Sequence, residues 1–450
     1  MQYPLEENIG PPELFVGRAD ELTSFNRWVA GISRKVSKSR VILARRKSGK
    51  TSFVQRLFNQ LWSQNGDVIP FYLEILGYDM WQNSFAINYY QVFASQFISF
   101  LEREPELVRN LLTLEQIYEY GVQKEMNKLA EDSKFMIENQ ELDKGARLWI
   151  MASSAPHRYA QAFGRRFLVI LDEFHNLSFH IYQDRACETK PIHSVPGSFN
   201  GLAESKVAPM LVTGSYVGIL RQLMAQYLKG GRLSERILSP YLDSDAGLDA
   251  VYQYARVFHL TIPNRSAVQI NELCMSDPFL ISCVLLSEFA GKDLTTPEGV
   301  IEAVEYEFSD HTSEMSRTWA EYLDMTFEKV NGPNTKALML FLNKNNDRSW
   351  TPADLKKKLN LDLDELEIKK RLILLSASDV ISRDVTEIHF SGIPDGTLKE
   401  VLRHRFEEEI EGTAPDFIAE AKARLDALES DRNNRLDYQK RFFESSHDAI

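Results

Sequence analysis

The chain has 450 residues, of which 44% are apolar and 26% charged, and its formal net charge is −12. This length exceeds one typical hydrophobic core and indicates two or three domains, while the excess of acids excludes nucleic-acid binding by the whole surface and leaves only a local basic patch open. The three cysteines form no C-x-x-C pair, which argues against a disulfide framework and fits a reducing cytoplasm. Residues 1–15 have neither a basic start nor an apolar core, and no stretch suits a membrane span, so we expect a cytoplasmic protein.

The first strand and helix predicted along the chain lie between Arg40 and Phe58. Val41–Ala44 is a short apolar run typical of a buried strand, and apolar residues from Ser52 onward follow helical spacing. Between them the segment ARRKSGKT fits the Walker A pattern, with Ala44 in place of the first glycine. The alternative is an ordinary basic turn that contains G-K-T by chance.

The Walker A pattern has a physical mechanism, because successive backbone N–H groups and a helix N-terminus surround the phosphates of a nucleotide. Here Lys50 would reach the β and γ oxygens, Thr51 would ligate Mg²⁺, and Gly49 would let the backbone approach the ligand without a Cβ. Cations crowded at the positive end of a helix are unfavourable without an anion, which favours the phosphate interpretation. The predicted binding residues of this loop are Arg46, Lys47, Ser48, Gly49, Lys50, Thr51 and Ser52.

Two segments follow before the next motif. Asp67–Ile75 is predicted to form a second strand of the sheet, beside the strand that precedes the Walker A loop. Residues 82–163 carry helical patterns and form a long insertion to which the sequence assigns no role.

The segment RRFLVILDEFHNL supplies the acids that a Walker A loop requires. Phe167–Leu171 is predicted to be a buried parallel strand, and it is followed by two carboxylates. Asp172 would hold Mg²⁺, and Glu173 would orient or deprotonate an attacking water. The alternative is a strand that ends in a solvated acidic turn. His175 is predicted to be a polar loop residue, because no second histidine or cysteine lies at metal-ligand spacing.

A third strand is predicted within Ala208–Leu220, after residues 183–202, which lack periodicity and are predicted to form a mobile loop on the nucleotide side. Polar residues at the carboxyl end of a parallel strand lie where ligands bind, so Thr213 or Ser215 could sense the γ-phosphate. A turn that caps the next helix explains these residues equally well.

The second half of the chain contains helices and a small module. Ser266–Lys292 has helical spacing, and after the loop that begins at Val330 come three helices and a β-hairpin within Asp379–Gly392, a winged-helix pattern. Thr351 would cap the second of these helices. The third helix begins with acids that would face a DNA polyanion, which favours a protein-interaction or nucleotide-gating role, although neighbouring lysines keep backbone binding open. These acids are Asp362, Asp364, Glu365 and Glu367.

The last predicted element is a helix over residues 413–445. Thr413 and Asp416 are spaced as in a capping box, and a single apolar stripe follows them. Such a stripe is typical of a helix packed against its own protein, and the alternative is a surface for a partner.

The order FVGRADEL, Walker A, LVILDEF, LVTGS and GGRLSERI resembles the archaeal-type ATPases of the STAND branch of AAA-like P-loop proteins, relatives of the origin-recognition ATPases. The resemblance implies that Val16, Gly17 and Arg18 lie beside the adenine and the lid. It places Pro278 in the lid motif, where Ser276 departs from the usual glycine.

The resemblance also assigns roles around the γ-phosphate. It implies that Arg232 reaches that phosphate, against the alternative of a surface salt bridge to Glu235 or Glu204. Many relatives have arginine where Ser215 stands, a departure that implies altered nucleotide sensing and slow hydrolysis.

The fold implied is α/β: a P-loop NTPase parallel sheet with a helical lid, a winged-helix domain and a C-terminal helix. The predicted boundaries are 1–262 for the ATPase core, 263–330 for the lid, 331–400 for the winged helix and 413–445 for the last helix. The implied function is an Mg-ATP-dependent switch ATPase that signals to a protein partner, with oligomerisation left open. The alternatives are a non-hydrolysing nucleotide-binding module and an origin-recognition-like DNA binder.

Overall fold

The computed structural model of the protein describes residues 1–430, except Asn331, Pro333 and Val385. The chain divides into two compact units, Met1–Pro240 and Tyr241–Ile450, so the division falls before the boundary predicted at residue 262. None of the helices in the described ranges has the length and hydropathy needed to cross a lipid bilayer. The cysteines in these ranges are all free, which agrees with the expected absence of a disulfide framework.

The first unit is built on a parallel sheet. Its strands are β1 (Arg40–Leu43), β2 (Val68–Glu74), β3 (Met80–Trp81), β4 (Arg166–Asp172), β5 (Ile181–Tyr182), β6 (Met210–Val212) and β7 (Ser234–Ile237). Five of them form the main sheet in the order β2-β4-β6-β1-β7, and every neighbouring pair is parallel. The strands β3 and β5 form a separate parallel pair. The α/β prediction with a parallel sheet is confirmed.

The position predicted for the second strand was wrong. β2 lies at the edge of the sheet beside β4, and both β4 and β6 stand between it and β1. The composition of β2 gives the physical reason, because it contains Pro70, which has no N–H to donate and is tolerated at the edge of a sheet. The continuous apolar runs of β4 and β6 are buried on both faces, as expected of central strands.

Nine helices are described in the first unit. They are α1 (Ala19–Ser33), α2 (Lys50–Gln64), α3 (Gln82–Glu102), α4 (Glu106–Arg109), α5 (Leu114–Gln123), α6 (Asn127–Asn139), α7 (Gly145–Ser153), α8 (Ala155–Ala162) and α9 (Val217–Tyr227). The predicted helical insertion therefore comprises α3 to α8. Its aromatic side chains pack on the edge strand, with Tyr89 and Phe93 at 5.1 and 5.3 Å from the ring of Phe71.

One prediction for the segment before α9 needs correction. The strand predicted within Ala208–Leu220 is β6, which stops at Val212 directly before Thr213, and the next helix begins at Val217. Residues 183–202 are not one irregular loop, because Val195–Phe199 forms a 3-10 helix whose side chains Val195 and Phe199 are buried in the core. Burial of these apolar groups provides the order that the lack of periodicity did not reveal.

The second unit is mainly helical. Its elements are α10 (Ser244–Val257), α11 (Asn264–Leu273), α12 (Pro278–Leu286), α13 (Pro297–Ser309), α14 (Glu314–Lys329), α15 (Thr335–Lys344), α16 (Pro352–Lys358), α17 (Glu365–Ala377), β8 (Ile381–Arg383), β9 (Phe390–Gly392) and α18 (Gly396–Glu411). Residues 417–430 form a further helix, α19. The lid prediction falls on α11 to α14.

The predicted order of three helices and a hairpin occurs at α15, α16, α17 and the antiparallel pair β8–β9. The side chain of Thr351 accepts a hydrogen bond from the N–H of Asp354, and the carboxylate of Asp354 accepts one from the N–H of Thr351, so this predicted cap is confirmed. The name winged helix remains a prediction for this module.

The predicted capping box of the last helix was wrong. Asp416 itself caps α19, because its Oδ1 accepts a hydrogen bond of 3.0 Å from the N–H of Ala419. An aspartate that precedes a helix satisfies an N–H three residues later, so Thr413 is not needed. Residues 431–445 of this predicted helix lie outside the described residues.

Candidate functional site

The parallel sheet brings the predicted motifs to one edge. The strands β4, β6 and β1 are consecutive neighbours, and in a parallel sheet their carboxyl ends meet on the same side. Asp172 ends β4, Thr213 follows β6, and the loop that follows β1 leads to Lys50 at the start of α2. The sequence places these residues in three separate segments, and the topology joins them.

The loop between β1 and α2 has the backbone of a ligand cradle. Gly49 is the N-cap of α2 with φ +82°, and Lys47 also has a positive φ of 61°. A Cβ added at Gly49 would meet nothing within 4 Å, so the space beside this backbone is open. Ser48 is 1% exposed, and its Oγ has no hydrogen-bond partner. A buried hydroxyl without a partner is unfavourable unless a ligand completes it.

Lys50 is the buried cation of the site. Its side chain is 4% exposed, and its Nζ donates a hydrogen bond of 3.2 Å to the carbonyl oxygen of Arg45. Burial lowers the pKa of Lys50, the carboxylates of Glu173 and Asp172 act in the opposite direction, and two neighbouring arginines lower it further. A polyanion bound here would favour the charged form of this lysine.

Asp172 is fully buried and is surrounded by hydroxyl groups. Its side chain accepts hydrogen bonds from the hydroxyls of Thr213 and Thr51, and the hydroxyl of Tyr72 lies 3.4 Å from Oδ2. Burial raises the pKa of Asp172, whereas the hydroxyls and Lys50 lower it. The carboxylate and the Thr51 hydroxyl are hard oxygen ligands of the kind that Mg²⁺ prefers.

Glu173 is held by groups from the end of the neighbouring strand. It adopts a left-handed backbone conformation with φ 52°, and its Oε2 accepts a hydrogen bond of 2.9 Å from the N–H of Ser215. The Ser215 hydroxyl donates to Oε1. The two residues predicted to orient water and to sense the γ-phosphate are therefore in direct contact.

His175 was wrongly predicted to be an ordinary polar loop residue. It is 5% exposed, and its Nδ1 lies 3.3 Å from Oε2 of Glu173, without hydrogen-bond geometry. Its ring packs edge-on against Tyr216. Burial lowers the pKa of His175, Glu173 acts in the opposite direction, and Lys50 lowers it further, so the imidazole is neutral near pH 7.

Sequence reasoning missed two residues on β2. Glu74 pairs in register with Asp172, and Tyr72 lies on the same face of the strand because it is two residues earlier. Burial raises the pKa of Glu74, and the charges of Asp172 and Glu173 raise it further. In the segment FYLEI, the acid Glu74 stands out because it comes at the end of an apolar strand. Only the strand order shows that its partner is Asp172.

Arg18 joins the N-terminal box to the Walker A loop. It caps α1 with φ 62°, and its guanidinium donates to the carbonyl oxygens of Ser48 at 3.4 Å and Ser239 at 2.6 Å. It also pairs with Glu21 at 3.1 Å. Val16 and Gly17 precede it, so the predicted box lies against the loop that the cations occupy.

The other predicted site residues have less direct placements. Arg46 accepts a hydrogen bond of 3.1 Å from Arg45 through its carbonyl oxygen, and Ser52 lies in the first turn of α2. Arg232 forms an ion pair of 3.0 Å with Glu204, one of the alternatives considered for it. Pro278 lies at the first position of α12 in the second unit, after the N-cap Asp277. Their roles toward a nucleotide remain predictions.

The donor set fits a magnesium nucleotide better than a metal held by protein alone. Within the described part of the chain, no group of three or more His, Cys, Asp or Glu residues is arranged to hold a metal ion. Mg²⁺ in nucleotide sites takes one or two protein ligands and completes its shell with phosphate and water. Thr51 and Asp172 are the residues predicted to supply that pair.

Comparisons with known proteins identify the fold. No protein-family model matches the chain, and a search of curated proteins gives no match. Among solved structures, a Walker-type ATPase of Pyrococcus abyssi is similar with a TM-score of 0.52 and 14% sequence identity, over 90% of this chain and 100% of that chain. The chain has the fold of a Walker-type ATPase.

Two other solved structures are similar with lower scores. The ORC2 protein of Aeropyrum pernix, in ADPNP-ADP complexes, has a TM-score of 0.42 and 15% identity, over 91% of this chain and 98% of that chain. Cdc6p from Pyrobaculum aerophilum has a TM-score of 0.36 and 12% identity, over 87% and 94% of the two chains.

Proposed function

We propose that this protein is a switch ATPase that binds Mg-ATP, hydrolyses it slowly and transmits the difference between its ATP and ADP states to a protein partner. The observation that carries the proposal is the convergence of Lys50, Thr51, Asp172 and Glu173 at one edge of a parallel sheet. The buried Ser48 hydroxyl without a partner lies in the same cradle. The Walker-type fold supports this assignment.

The residues have distinct roles in this scheme. Lys50 and the N–H groups at the start of α2 bind the β and γ phosphate oxygens and stabilise the charge that develops on them. Thr51 and Asp172 hold Mg²⁺, which neutralises phosphate charge when it is bound. Glu173 orients the attacking water and takes its proton.

The contact between Glu173 and Ser215 supports slow turnover. Both carboxylate oxygens of Glu173 accept a hydrogen bond from Ser215, so neither is free of a partner when a water has to be bound. Hydrolysis then requires Glu173 to exchange part of this contact for water. A non-hydrolysing module is the limiting case in which that exchange does not occur.

The proposal is tested by calorimetry with Mg-ATP and by phosphate release. We expect the wild type to bind, Lys50→Ala to lose about a hundredfold or more in affinity, and Glu173→Gln to bind normally while turnover falls about 10²- to 10³-fold. Glu141→Gln, at an exposed acid of the same unit, is the matched control and should behave as the wild type. Binding without phosphate release above that of Glu173→Gln would leave only the non-hydrolysing module.

A protein partner is favoured over DNA by the surface of α17. Leu366 and Leu374 are 62% and 42% exposed on this helix, and Ile388 between β8 and β9 is 50% exposed. Exposed apolar side chains gain from contact with a protein and gain little from a phosphate backbone. Asp364, which caps the helix, adds negative charge at the end that would face DNA.

The DNA alternative is tested by duplex affinity across a salt series. We expect no binding at low salt, since the acids repel phosphate. A steep loss of affinity with rising salt would instead indicate phosphate contacts and reverse the assignment.

A further inference from the structure

Residues 2–15 lie along α2, the helix that begins with Lys50, and we call them the N-terminal strap. Four polar side chains of α2 bind the strap, and they recur along one face of the helix: Gln55, Arg56, Asn59 and Ser63. Ser63 exchanges hydrogen bonds with the backbone of Gln2 at 2.8 and 2.9 Å. Asn59 does the same with Leu5 at 3.0 and 2.9 Å.

Arg56 is the centre of this contact. Its guanidinium forms a bidentate pair with Glu7 at 2.7 and 2.8 Å and donates to the carbonyl oxygen of Pro12 at 2.8 Å. It lies 4.3 Å from the centre of the Phe15 ring. The Glu7 side chain is 1% exposed and that of Arg56 is 12% exposed, so solvent screens this pair little. Bidentate pairs of this kind fix geometry as well as adding energy.

The strap reaches the nucleotide cradle by two routes. Its C-terminal end continues directly into Gly17 and Arg18, and Arg18 donates to the carbonyl oxygen of Ser48 in the Walker A loop. The second route is a polar chain through the core. The N–H of Asn8 donates to Gln55 at 2.8 Å, and Gln55 Nε2 lies 3.5 Å from the Tyr72 hydroxyl.

That hydroxyl in turn lies 3.4 Å from Oδ2 of Asp172, the predicted Mg²⁺ ligand. Tyr72 is itself fixed, because Gln96 accepts from its N–H at 2.8 Å and donates to its carbonyl oxygen at 2.9 Å. The strap is therefore connected to both halves of the site, the phosphate loop and the metal carboxylate.

We propose that the N-terminal strap positions the nucleotide cradle and that Arg56 is the positioning residue that holds it there. This inference rests on the proposed nucleotide-binding function. Arg56 touches no reacting atom; it fixes the strap, and the strap fixes Arg18 against the loop. The apolar face of α2 is buried in the core through Phe53, Leu57 and Phe58. The polar face of the same helix is therefore available to bind the strap.

A positioning role predicts that the binding constants change while the turnover number does not. If the strap preorganises the loop for ATP in both the ground state and the transition state, its loosening raises KM and Kd and leaves kcat nearly unchanged. A merely structural role lowers the melting temperature of the free protein and leaves the nucleotide constants as they were.

The test uses the full chain with Arg56→Met and Glu7→Gln. We expect each variant to bind Mg-ATP about tenfold more weakly, the order appropriate to loss of a buried charge-assisted pair, with kcat within about twofold of the wild type. At one fixed ATP concentration, Mg-ATP should raise the melting temperature of each variant by less than it raises that of the wild type.

Arg103→Met is the matched control. Arg103 also packs on α2, 3.8 Å from the Trp62 ring, and donates to the Trp62 carbonyl oxygen at 2.6 Å. It contacts the C-terminal end of the helix, whereas the helix begins with Lys50 at the other end. This variant should lower the melting temperature and leave the ATP affinity unchanged.

The possible outcomes distinguish failure of the strap inference from failure of the proposed function. If the wild type binds ATP and Glu7→Gln binds it equally well, the strap inference fails while the proposed function stands. Glu7→Gln decides this even if Arg56→Met does not fold, because glutamine keeps the size of the side chain and removes its charge. If the wild type binds no Mg-ATP, both proposals fall together.

Discussion

Asp172 shows how this fold accommodates a buried acid. Its carboxylate is fully buried, yet the groups that donate to it are the hydroxyls of Thr51 and Thr213, with the Tyr72 hydroxyl close by. Hydroxyls satisfy hydrogen-bonding capacity without adding compensating charge, so burial still raises the pKa of this group. A divalent cation would remove that penalty, and one of these hydroxyls belongs to Thr51, the second residue of α2.

The role of Thr51 can be tested through magnesium. Thr51→Ala removes one of the two predicted Mg²⁺ ligands, so we expect the affinity for Mg-ATP to fall about tenfold or more while binding of ATP in EDTA stays within about twofold. Calorimetry with and without magnesium measures both constants.

Thr51→Ser is the control for this prediction and should retain most of the magnesium dependence, because it keeps the hydroxyl. Equal losses of affinity in magnesium and in EDTA would show that Thr51 contributes to the helix start and not to the metal.

Individual site residues were predictable where a local pattern carries the chemistry. The loop around Lys50 and the acids after β4 could be found because their spacing along the chain is itself the signal. Glu74 and His175 could not be assigned, since their importance comes from neighbours that lie far away in the sequence. Asp172 meets Glu74 only because β2 pairs with β4, and no local pattern specifies that pairing.

The individual helices and strands were predicted better than the order of the strands in the sheet. The helices and strands follow from periodicity, whereas the sheet order depends on which strand can tolerate an edge, and Pro70 was the overlooked clue. The third strand was recognisable because its apolar residues are followed by Thr213 and Ser215, and β6 stops at Val212, directly before that polar break.

The contact between α18 and α19 contains a histidine that should respond to acid. His404 forms a cluster with the rings of Phe308 and Phe417, with centroids 6.4 and 6.0 Å away. Its pKa is lowered to about 4, first by burial and then by the charge of Arg403, while Glu407 and Glu420 act in the opposite direction. The ordinary value is 6.5, so protonation favours the unfolded chain.

The sign of this linkage fixes the pH range. A base whose pKa is lowered on folding contributes stability that is complete above pH 6.5 and is lost as the pH falls toward about 4. We expect the second unit to lose at most about 1.4 kcal/mol per pH unit through this group in that range. His404→Phe should reduce the loss of unfolding free energy between pH 7 and pH 4, as measured by denaturation at each pH.

His259, which is exposed just after the end of α10, offers the comparison. His259→Phe should leave the pH dependence of the wild type in place. The interpretation is contradicted if His404→Phe and the wild type lose stability in parallel across the same pH range.

At the scale of the whole molecule, the first unit contains the entire predicted phosphate and metal site. Its hydrophobic core runs from Phe25 to Leu238, within the limits of Met1–Pro240. The general class was accessible from the sequence, because two Walker-type motifs in order restrict the fold. The limits of the units were not, since the chain passes from β7 to α10 without a linker composition that marks the change.

This division gives a prediction about a fragment of residues 1–240. Because the core and the Walker A loop lie inside it, we expect the fragment to fold cooperatively and to bind Mg-ATP in a manner that Lys50→Ala abolishes. The resemblance assigns Pro278 of the second unit to the nucleotide lid, so the fragment should bind about tenfold more weakly than the full chain. Circular dichroism and calorimetry on both proteins measure folding and affinity. If the fragment folds and binds ATP as tightly as the full chain does, the lid assignment of Pro278 is wrong.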